Sequence, residues 1–220
     1  MTTITLDKRL NNHIIIDTET TKLGYVYNYA YIVFNNKGII KTYNTLITEA
    51  FQYDNSIISK LDKRLQDYDN MPRVSIIEAV TRLLEDVKDY NADVYAFSAS
   101  HFDTYHIKQT LAIANASTTM LQPFKDLQGL SSTTICNQPT YIRVCRDKNM
   151  KTKKGYISRT AQNLYRYVSK DYDYKQTHTA LDDCFIELAI WKHVKAQHKA
   201  INYKVSNYKR YAHYCNSIED

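Results

Sequence analysis

A run of β-branched residues ends in two carboxylates near the start of this 220-residue chain. Ile14, Ile15 and Ile16 favour a buried strand, because branched side chains pack well on a pleated surface. Side chains alternate along a strand, so Asp17 and Glu19 point to the same face. Two adjacent negative charges repel one another, and a shared divalent cation would remove that cost. Taken alone, a solvated strand end is the commoner explanation of such a pair.

Two further acidic sites follow later in the chain. Asp103 comes just after a short apolar stretch, at the predicted start of a helix. His178 precedes another predicted helix, and Asp183 lies in the first turn of that helix. Each has an ordinary explanation: Asp103 as a helix cap, Asp183 in a surface ion pair, and His178 as an exposed loop residue. We assign Asp182 to the surface and give His101 no role.

The ordered set resembles the three-part signature of the DEDDh 3′–5′ exonucleases, which include the proofreading subunit of the bacterial replicative polymerase and oligoribonuclease. The matching motifs are Asp17-x-Glu19-Thr20-Thr21, Phe102-Asp103 and His178-x4-Asp183. The resemblance spans about Ile14 to Trp191, with all three parts in the right order. It implies an α/β fold of the ribonuclease H-like type: a mixed sheet opened by an antiparallel three-strand meander and flanked by helices.

The resemblance also implies cofactors, a reaction and a role for each residue. Two divalent cations, Mg²⁺ or Mn²⁺, would be held by carboxylate oxygens, which hard cations prefer. Asp17 would bridge the two ions. Glu19 and Asp183 would hold the ion on the water side, and Asp103 would support the other. His178 would be the general base. The implied reaction releases nucleoside monophosphates from the 3′ end of single-stranded DNA or RNA by a two-metal mechanism.

Details of the motifs refine the resemblance. The DEDDy branch carries Tyr where this chain has Thr179, so the histidine branch is indicated. Thr20 would lie where the terminal nucleotide arrives. The family often has His-Asn-Ala before x-Phe-Asp, where this chain has Ser98-Ala99-Ser100, and it commonly has Gly at the position of Lys22. All four carboxylates and the histidine remain, so these departures bear on substrate preference more than on metal binding.

Two other functions remain open from the residues. A haloacid-dehalogenase-like phosphatase also begins with an apolar strand and an Asp-x-Asp-x-Thr motif, which Asp17, Glu19 and Thr21 nearly match. That fold needs a helix after the motif, whereas the following residues predict a hairpin. The second alternative is a catalytically silent nuclease-fold protein that binds nucleic acid or acts as an accessory. Such a binder has no physical need for four converging carboxylates and a base.

The elements that would position these residues follow from hydrophobic spacing. Tyr25–Phe34 and Ile39–Ile47 are predicted strands, and Asn35–Gly38 between them predicts a hairpin turn. The pattern from Ser75 onward predicts an amphipathic helix that covers a sheet face, and Asp93–Phe97 predicts a short buried strand. Other predicted helices cover residues 51–69, 103–114, 159–168 and 180–196, and a mostly extended segment is predicted over 132–146.

A basic stretch runs from Arg143 to Lys154 and carries six cations against one acid. A solvated loop and a phosphate-contacting arm explain it equally well. In the second interpretation Lys151, Lys153 and Lys154 lie beside the active-site cleft and bind the nucleic-acid backbone. The expected domain organisation is an exonuclease domain over 1–198 with a basic insertion around 140–158, and a Tyr/Lys-rich C-terminal extension over 199–220.

Composition limits the remaining possibilities. The 29 Lys and Arg residues exceed the 23 Asp and Glu residues, and the net charge of +6 is compatible with a polyanionic partner. The four cysteines lack Cys-x-x-Cys spacing, which argues against a zinc ribbon or a redox pair. We see no signal segment and no apolar run long enough to span a membrane, so we expect a soluble cytoplasmic protein. DNA, RNA and short oligonucleotides all remain open as substrates, as do monomer and dimer.

Overall fold

The computed structural model describes residues 11–54, 68, 70–98, 102–121 and 124–197. The strands are β1 (His13–Thr20), β2 (Val26–Asn35), β3 (Gly38–Ile47), β4 (Arg73–Val74), β5 (Asp93–Ala96) and β6 (Lys125–Asp126). The helices are α1 (Thr48–Tyr53), α2 (Ile76–Tyr90), α3 (Asp103–Ile113), α4 (Leu127–Ser131), α5 (Pro139–Asp147), α6 (Ala161–Ser169) and α7 (Ala180–Ala196). The strands form one mixed sheet in the order β4-β3-β2-β1-β5-β6.

The first three strands form an antiparallel meander, which confirms the predicted hairpin and the predicted α/β class. β1 pairs with β2, and β2 pairs with β3. The turn between β2 and β3 is closed by Asn35 Oδ1, which accepts a hydrogen bond from the Lys37 N–H at 2.8 Å. On the other side of β1, β5 and then β6 add in parallel. The carboxyl ends of β1, β5 and β6 therefore lie along one edge, where ligands bind in open α/β sheets.

Helices cover both faces of the sheet. Ile14 and Ile16 pack on one face with the apolar sides of α2 and α3. Ile15 packs on the other face with apolar residues of α4 to α7. Because side chains alternate along a strand, Asp17 and Glu19 share the face of Ile15, the face that α7 covers.

Asn28 anchors the start of α7 to the sheet. It is fully buried and lies opposite Glu19 in the register of β1 and β2. Its Oδ1 accepts a hydrogen bond from the N–H of Ala180 at 2.9 Å, which satisfies one of the free amides at the helix start. Its Nδ2 donates to Asn44 Oδ1 at 2.8 Å and to the carbonyl oxygen of Thr45 at 3.0 Å. The side chain thus ties β2, β3 and α7 together beside one of the predicted metal ligands.

Two further contacts hold the rest of α7. The thiol of Cys184 donates to backbone carbonyls of β1 and β2 at 3.7 and 3.5 Å. One end of the helix places the Trp191 ring on His13, with ring centroids 4.6 Å apart. Burial lowers the pKa of His13 to about 4, so the imidazole is neutral at physiological pH. Helix α7 is therefore fixed along its length against the strand that carries Asp17.

The prediction of an extended segment over 132–146 is wrong. Residues 132–136 form a π-helical turn, and α5 follows. Pro139 suits the first turn of a helix because its missing N–H would have no partner there. Tyr141 and Cys145, one helical turn apart, are both buried in the core. The β-branched residues of the segment favour a strand, but burial of Tyr141 and Cys145 on one side stabilises a helix instead.

The remaining sequence predictions have mixed outcomes. The helices predicted over 103–114, 159–168 and 180–196 are α3, α6 and α7. Helix α1 covers the start of the helix predicted over 51–69 and ends at Tyr53. Residues 55–67 and 69 lie outside the described residues, and so does the predicted extension over 199–220. Among the described cysteines, all are buried free thiols. No helix in the described ranges has the length and apolarity needed to cross a membrane.

Replacing Asn28 tests its role as the anchor of α7. Asn28→Ala should lower the free energy of unfolding by roughly 1–3 kcal/mol, because it leaves the Ala180 amide and the polar groups of β3 unsatisfied. Urea denaturation measures the change. Asn44→Ala is the matched control, since it removes one partner of Asn28 and leaves the bond to α7 in place. Equal losses in the two variants would contradict the anchoring role.

Buried His13 should make stability depend on pH. The folded-state pKa is about 4 and the ordinary value is 6.5, so the unfolded chain binds the proton more readily. Stability is therefore complete above about pH 6.5 and is lost as the pH falls toward 4, by about 3 kcal/mol in total. His13→Phe should flatten the curve of unfolding free energy against pH in this window. Parallel curves for the two proteins would exclude His13 as the source.

Candidate active site

Three of the predicted site residues meet at the carboxyl end of β1. One ligand atom each from Glu19, His178 and Asp183 lies within 4.8 Å of the other two. Glu19 is at the end of β1, Asp183 is buried in the first turn of α7, and His178 is exposed in the loop just before that helix. Two carboxylates and an imidazole at this spacing can share one cation.

Asp17 interacts electrostatically with four other carboxylates of the region. Burial raises the pKa of Asp17 well above its ordinary value. The charges of Asp103, Glu187, Asp183 and Glu19 raise it further. Acidic side chains from β1, α3 and α7 therefore lie close together: Asp17 and Glu19, Asp103, and Asp183 and Glu187.

Asp103 is 1% exposed at the start of α3. Its Oδ1 accepts a hydrogen bond from Thr18 Oγ1 at 2.8 Å. Burial raises the pKa of Asp103 to about 7, although the hydrogen bonds from Thr18 and from backbone amides act in the opposite direction. Its Oδ2 is buried and has no hydrogen-bond partner among the described residues. A buried carboxylate oxygen in this state is available to a ligand.

The turn after β1 fixes α3, and thereby Asp103, against the strand. The amide of Val26 donates to Thr110 Oγ1 at 2.9 Å, and His106 Nδ1 lies 2.8 Å from the carbonyl oxygen of Gly24. Gly24 has a φ of +85°, and a Cβ at this position would lie 2.9 Å from His106 Nδ1. Glycine is therefore required where the turn approaches α3.

His178 stands in an unusual backbone conformation, with a φ of +59°. The residues on either side of it are fixed: Thr177 Oγ1 and Thr179 Oγ1 donate to the same oxygen of Asp182 at 2.8 and 2.7 Å. Asp182 is exposed, as predicted, but sequence reasoning missed that it fastens this loop. The signal was the Thr-x-x-Asp spacing at a helix start, which is typical of a cap.

Sequence reasoning also missed two acidic residues. Glu187 is 1% exposed and lies one helical turn after Asp183 on the inner side of α7. The signal was its place in the apolar stripe of the helix, at four-residue spacing from the metal-ligand candidate. Asp126 ends β6 and caps α4 by accepting the Gly129 amide at 3.1 Å, and its charge also raises the pKa of Asp103. We call the following five carboxylates the acidic cluster: Asp17, Glu19, Asp103, Asp183 and Glu187.

The other predicted binding residues lie on the surface or at strand ends. Thr20 ends β1, immediately after a shift in its register with β2. Lys151, Lys153 and Lys154 are exposed on a short hairpin that follows α5, closed by an antiparallel bridge between Lys151 and Ile157. Unassigned His101 lies outside the described residues.

The acidic cluster fits a divalent cation. Its donor atoms are carboxylate oxygens with one nearby imidazole, the set that Mg²⁺ and Mn²⁺ accept. Its charges repel one another, and one oxygen of Asp103 is buried without a partner among the described residues. A cation would relieve both conditions.

The fold is similar to that of Escherichia coli exonuclease I at low sequence identity. No protein-family model matches this chain, and no curated protein does. The structure of E. coli exonuclease I in complex with a dA16 oligonucleotide matches with a TM-score of 0.58 and 13% identity, over 86% of this chain and 41% of that chain. The zinc-bound form of the same enzyme with single-stranded DNA gives 0.59 and 13%, over 86% and 41%. Apo exonuclease I gives 0.56 and 14%, over 90% and 44%.

This chain thus spans about two fifths of the length of the exonuclease I chains that it matches. At 13% sequence identity, this structural match shows a shared fold and does not show a shared substrate. The mixed sheet with its antiparallel meander and flanking helices is therefore the ribonuclease H-like fold found in exonuclease I.

Proposed function

We propose that this chain is a metal-dependent 3′–5′ exonuclease that releases nucleoside monophosphates from single-stranded nucleic acid. The observation that carries the proposal is the convergence of Glu19, His178 and Asp183 within 4.8 Å on the fold of exonuclease I. Asp17, whose charge interacts with Glu19, Asp183 and Asp103, completes together with Asp103 the set that the sequence motifs supply. The substrate class is supported by the single-stranded DNA bound in the exonuclease I complexes.

The four motif carboxylates would hold two divalent cations, Mg²⁺ or Mn²⁺, with Asp17 between them. Such a pair of cations supplies an activated water and stabilises the leaving oxygen when bound. The contribution of the chain is to fix the carboxylates in advance. Thr18 orients Asp103 through its hydroxyl, and the start of α7 holds Asp183 at a constant distance from β1. Ligands held this way need little rearrangement on binding.

His178 would act as general base. Its imidazole lies close to Glu19 and Asp183, whose negative charges stabilise the protonated ring after it takes a proton from the attacking water. Its exposure leaves a path for that proton to solvent. The left-handed backbone is an energetically costly conformation for a residue other than glycine, and such conformations cluster at functional sites. The hydrogen bonds to Asp182 on both sides maintain it.

The alternative functions differ in what they require of the chain. A haloacid-dehalogenase-like phosphatase needs a helix after the first acidic motif, and in this structure the β2–β3 hairpin follows it. A catalytically silent nucleic-acid-binding module would keep the fold without turnover. A cleavage assay separates that module from the exonuclease.

A single-stranded oligonucleotide labelled at its 5′ end tests the proposed activity. With Mg²⁺ or Mn²⁺ we expect a ladder of stepwise shortened products, and with a chelator no shortening. Matched DNA, RNA and dinucleotide substrates in the same assay identify the substrate class. His178→Asn keeps a residue that tolerates the left-handed backbone, and it should lower turnover by about 10²–10⁴-fold while leaving the cation-induced rise in melting temperature intact. Asp17→Ala should lose both turnover and that rise.

The matched control is His193→Asn, which changes a histidine in the last turn of α7 that is hydrogen-bonded to Gln197. It should leave turnover unchanged. Near-normal activity of Asp17→Ala would refute the assigned site. Binding of the oligonucleotide without shortening, under every cation and substrate, would refute the exonuclease and favour the silent module.

The exposed lysines after α5 are proposed to bind the phosphate backbone. The triple variant Lys151/Lys153/Lys154→Ala should bind single-stranded DNA more weakly, and the slope of log K against log salt should fall by about 2, at roughly 0.7 for each phosphate that a lysine no longer neutralises. Titrations at several salt concentrations measure the slope. The control changes Lys37, Lys88 and Lys192, which are exposed and lie on other elements, to Ala for the same reduction in charge. An unchanged slope in the first variant would remove the proposed interaction.

A further inference from the structure

Glu187 occupies a position that glutamate rarely takes. It is 1% exposed on the inner side of α7, in the stripe that also carries Asp183, Cys184 and Trp191. Glutamate is almost never fully buried unless it is paired, because removing a charge from water is costly. A buried ion pair does not explain it, since no Lys or Arg in the described ranges forms a salt bridge with Glu187.

A structural hydrogen-bond network does not explain Glu187 either. The backbone of Phe97, just after β5, contributes one hydrogen bond to the carboxylate. The other oxygen, Oε2, is buried without a hydrogen-bond partner among the described residues. A glutamine would accept the hydrogen bond from Phe97 as well as a glutamate does, so a purely structural role gives no reason for an acid at this position.

The surroundings of Glu187 are acidic. Burial raises the pKa of Glu187 well above its ordinary value, and the charges of Asp103 and Asp183 raise it further. Asp103 is the charged neighbour with the largest effect, and it too has one buried oxygen, Oδ2, without a partner in the described part of the chain. Two such oxygens on two neighbouring acids point to a positive ligand that both would share.

We propose that Glu187 is a fifth carboxylate of the divalent-cation site and that it holds, together with Asp103, the cation farther from His178. The inference rests on the proposed function. Helix α7 would then supply two cation ligands one turn apart, Asp183 and Glu187. The extra carboxylate replaces a neutral ligand such as water with a charged one, which strengthens binding of a hard cation.

Direct measurement of cation binding tests the proposal without reference to turnover. Isothermal titration of the full chain with Mn²⁺, in the absence of nucleic acid, should show two binding events in the wild-type protein. Glu187→Gln keeps the size of the side chain and an acceptor for Phe97, and it should weaken one of the two events by at least about tenfold. The matched control is Glu85→Gln, an exposed glutamate on α2, which should bind both cations as the wild type does.

Stability without metal provides the second measurement. In the presence of chelator, Glu187→Gln should melt at the same or a higher temperature than the wild type, because it removes an acid whose ionised form is disfavoured by burial and by the charges of Asp103 and Asp183. A structural carboxylate would give a lower melting temperature in this variant. Either that result, or wild-type Mn²⁺ affinity in Glu187→Gln, overturns the proposal.

Asp17→Asn in the same titration separates this inference from the proposed function. Loss of Mn²⁺ binding in Asp17→Asn but not in Glu187→Gln overturns the role of Glu187 alone. A wild-type protein that binds no Mn²⁺ at all overturns the metal-dependent exonuclease together with it.

Discussion

Repulsion among buried carboxylates is the constraint on which the rest of this structure depends. The acidic cluster brings together side chains from β1, α3 and α7. Burial raises the pKa of Asp17, Asp103 and Glu187, and the charges of neighbouring cluster members raise the pKa of Asp17 and Glu187 further. Buried uncompensated charge opposes folding by several kcal/mol, a large part of the stability of a typical domain. The surrounding framework must hold these groups together against their mutual repulsion.

That framework has one strand at its centre. β1 is hydrogen-bonded to β2 on one side and β5 on the other, and its apolar residues are buried on both faces. α7 is docked along β1 through the amide held by Asn28, the thiol of Cys184 and the ring of Trp191. Apolar burial along β1 and α7 thus lies next to the acidic cluster, and it offsets the unfavourable electrostatics of that cluster.

The groups proposed for catalysis differ in structural setting according to their tasks. The carboxylates lie on a strand or in the first turns of helices, where backbone hydrogen bonds fix their positions. The imidazole of His178 lies in an exposed loop, in which the threonines on either side of it are hydrogen-bonded to Asp182. A cation site gains from rigid ligands, whereas a base must exchange its proton with solvent in every turnover.

The sequence by itself determined the ordered acidic motifs, the β2–β3 hairpin and the amphipathic helices, because residue spacing and turn-forming residues encode each of them locally. It did not reveal that residues 132–146 are largely helical, since Tyr141 and Cys145 are recognised as one buried face only against the rest of the core. The position of Glu187 near Asp103 follows from the packing of α7 against the sheet, which spacing along α7 does not show. Convergence of β1, α3 and α7 was decided by tertiary structure alone, because distance and burial between segments far apart in the chain follow from packing, which no local pattern encodes.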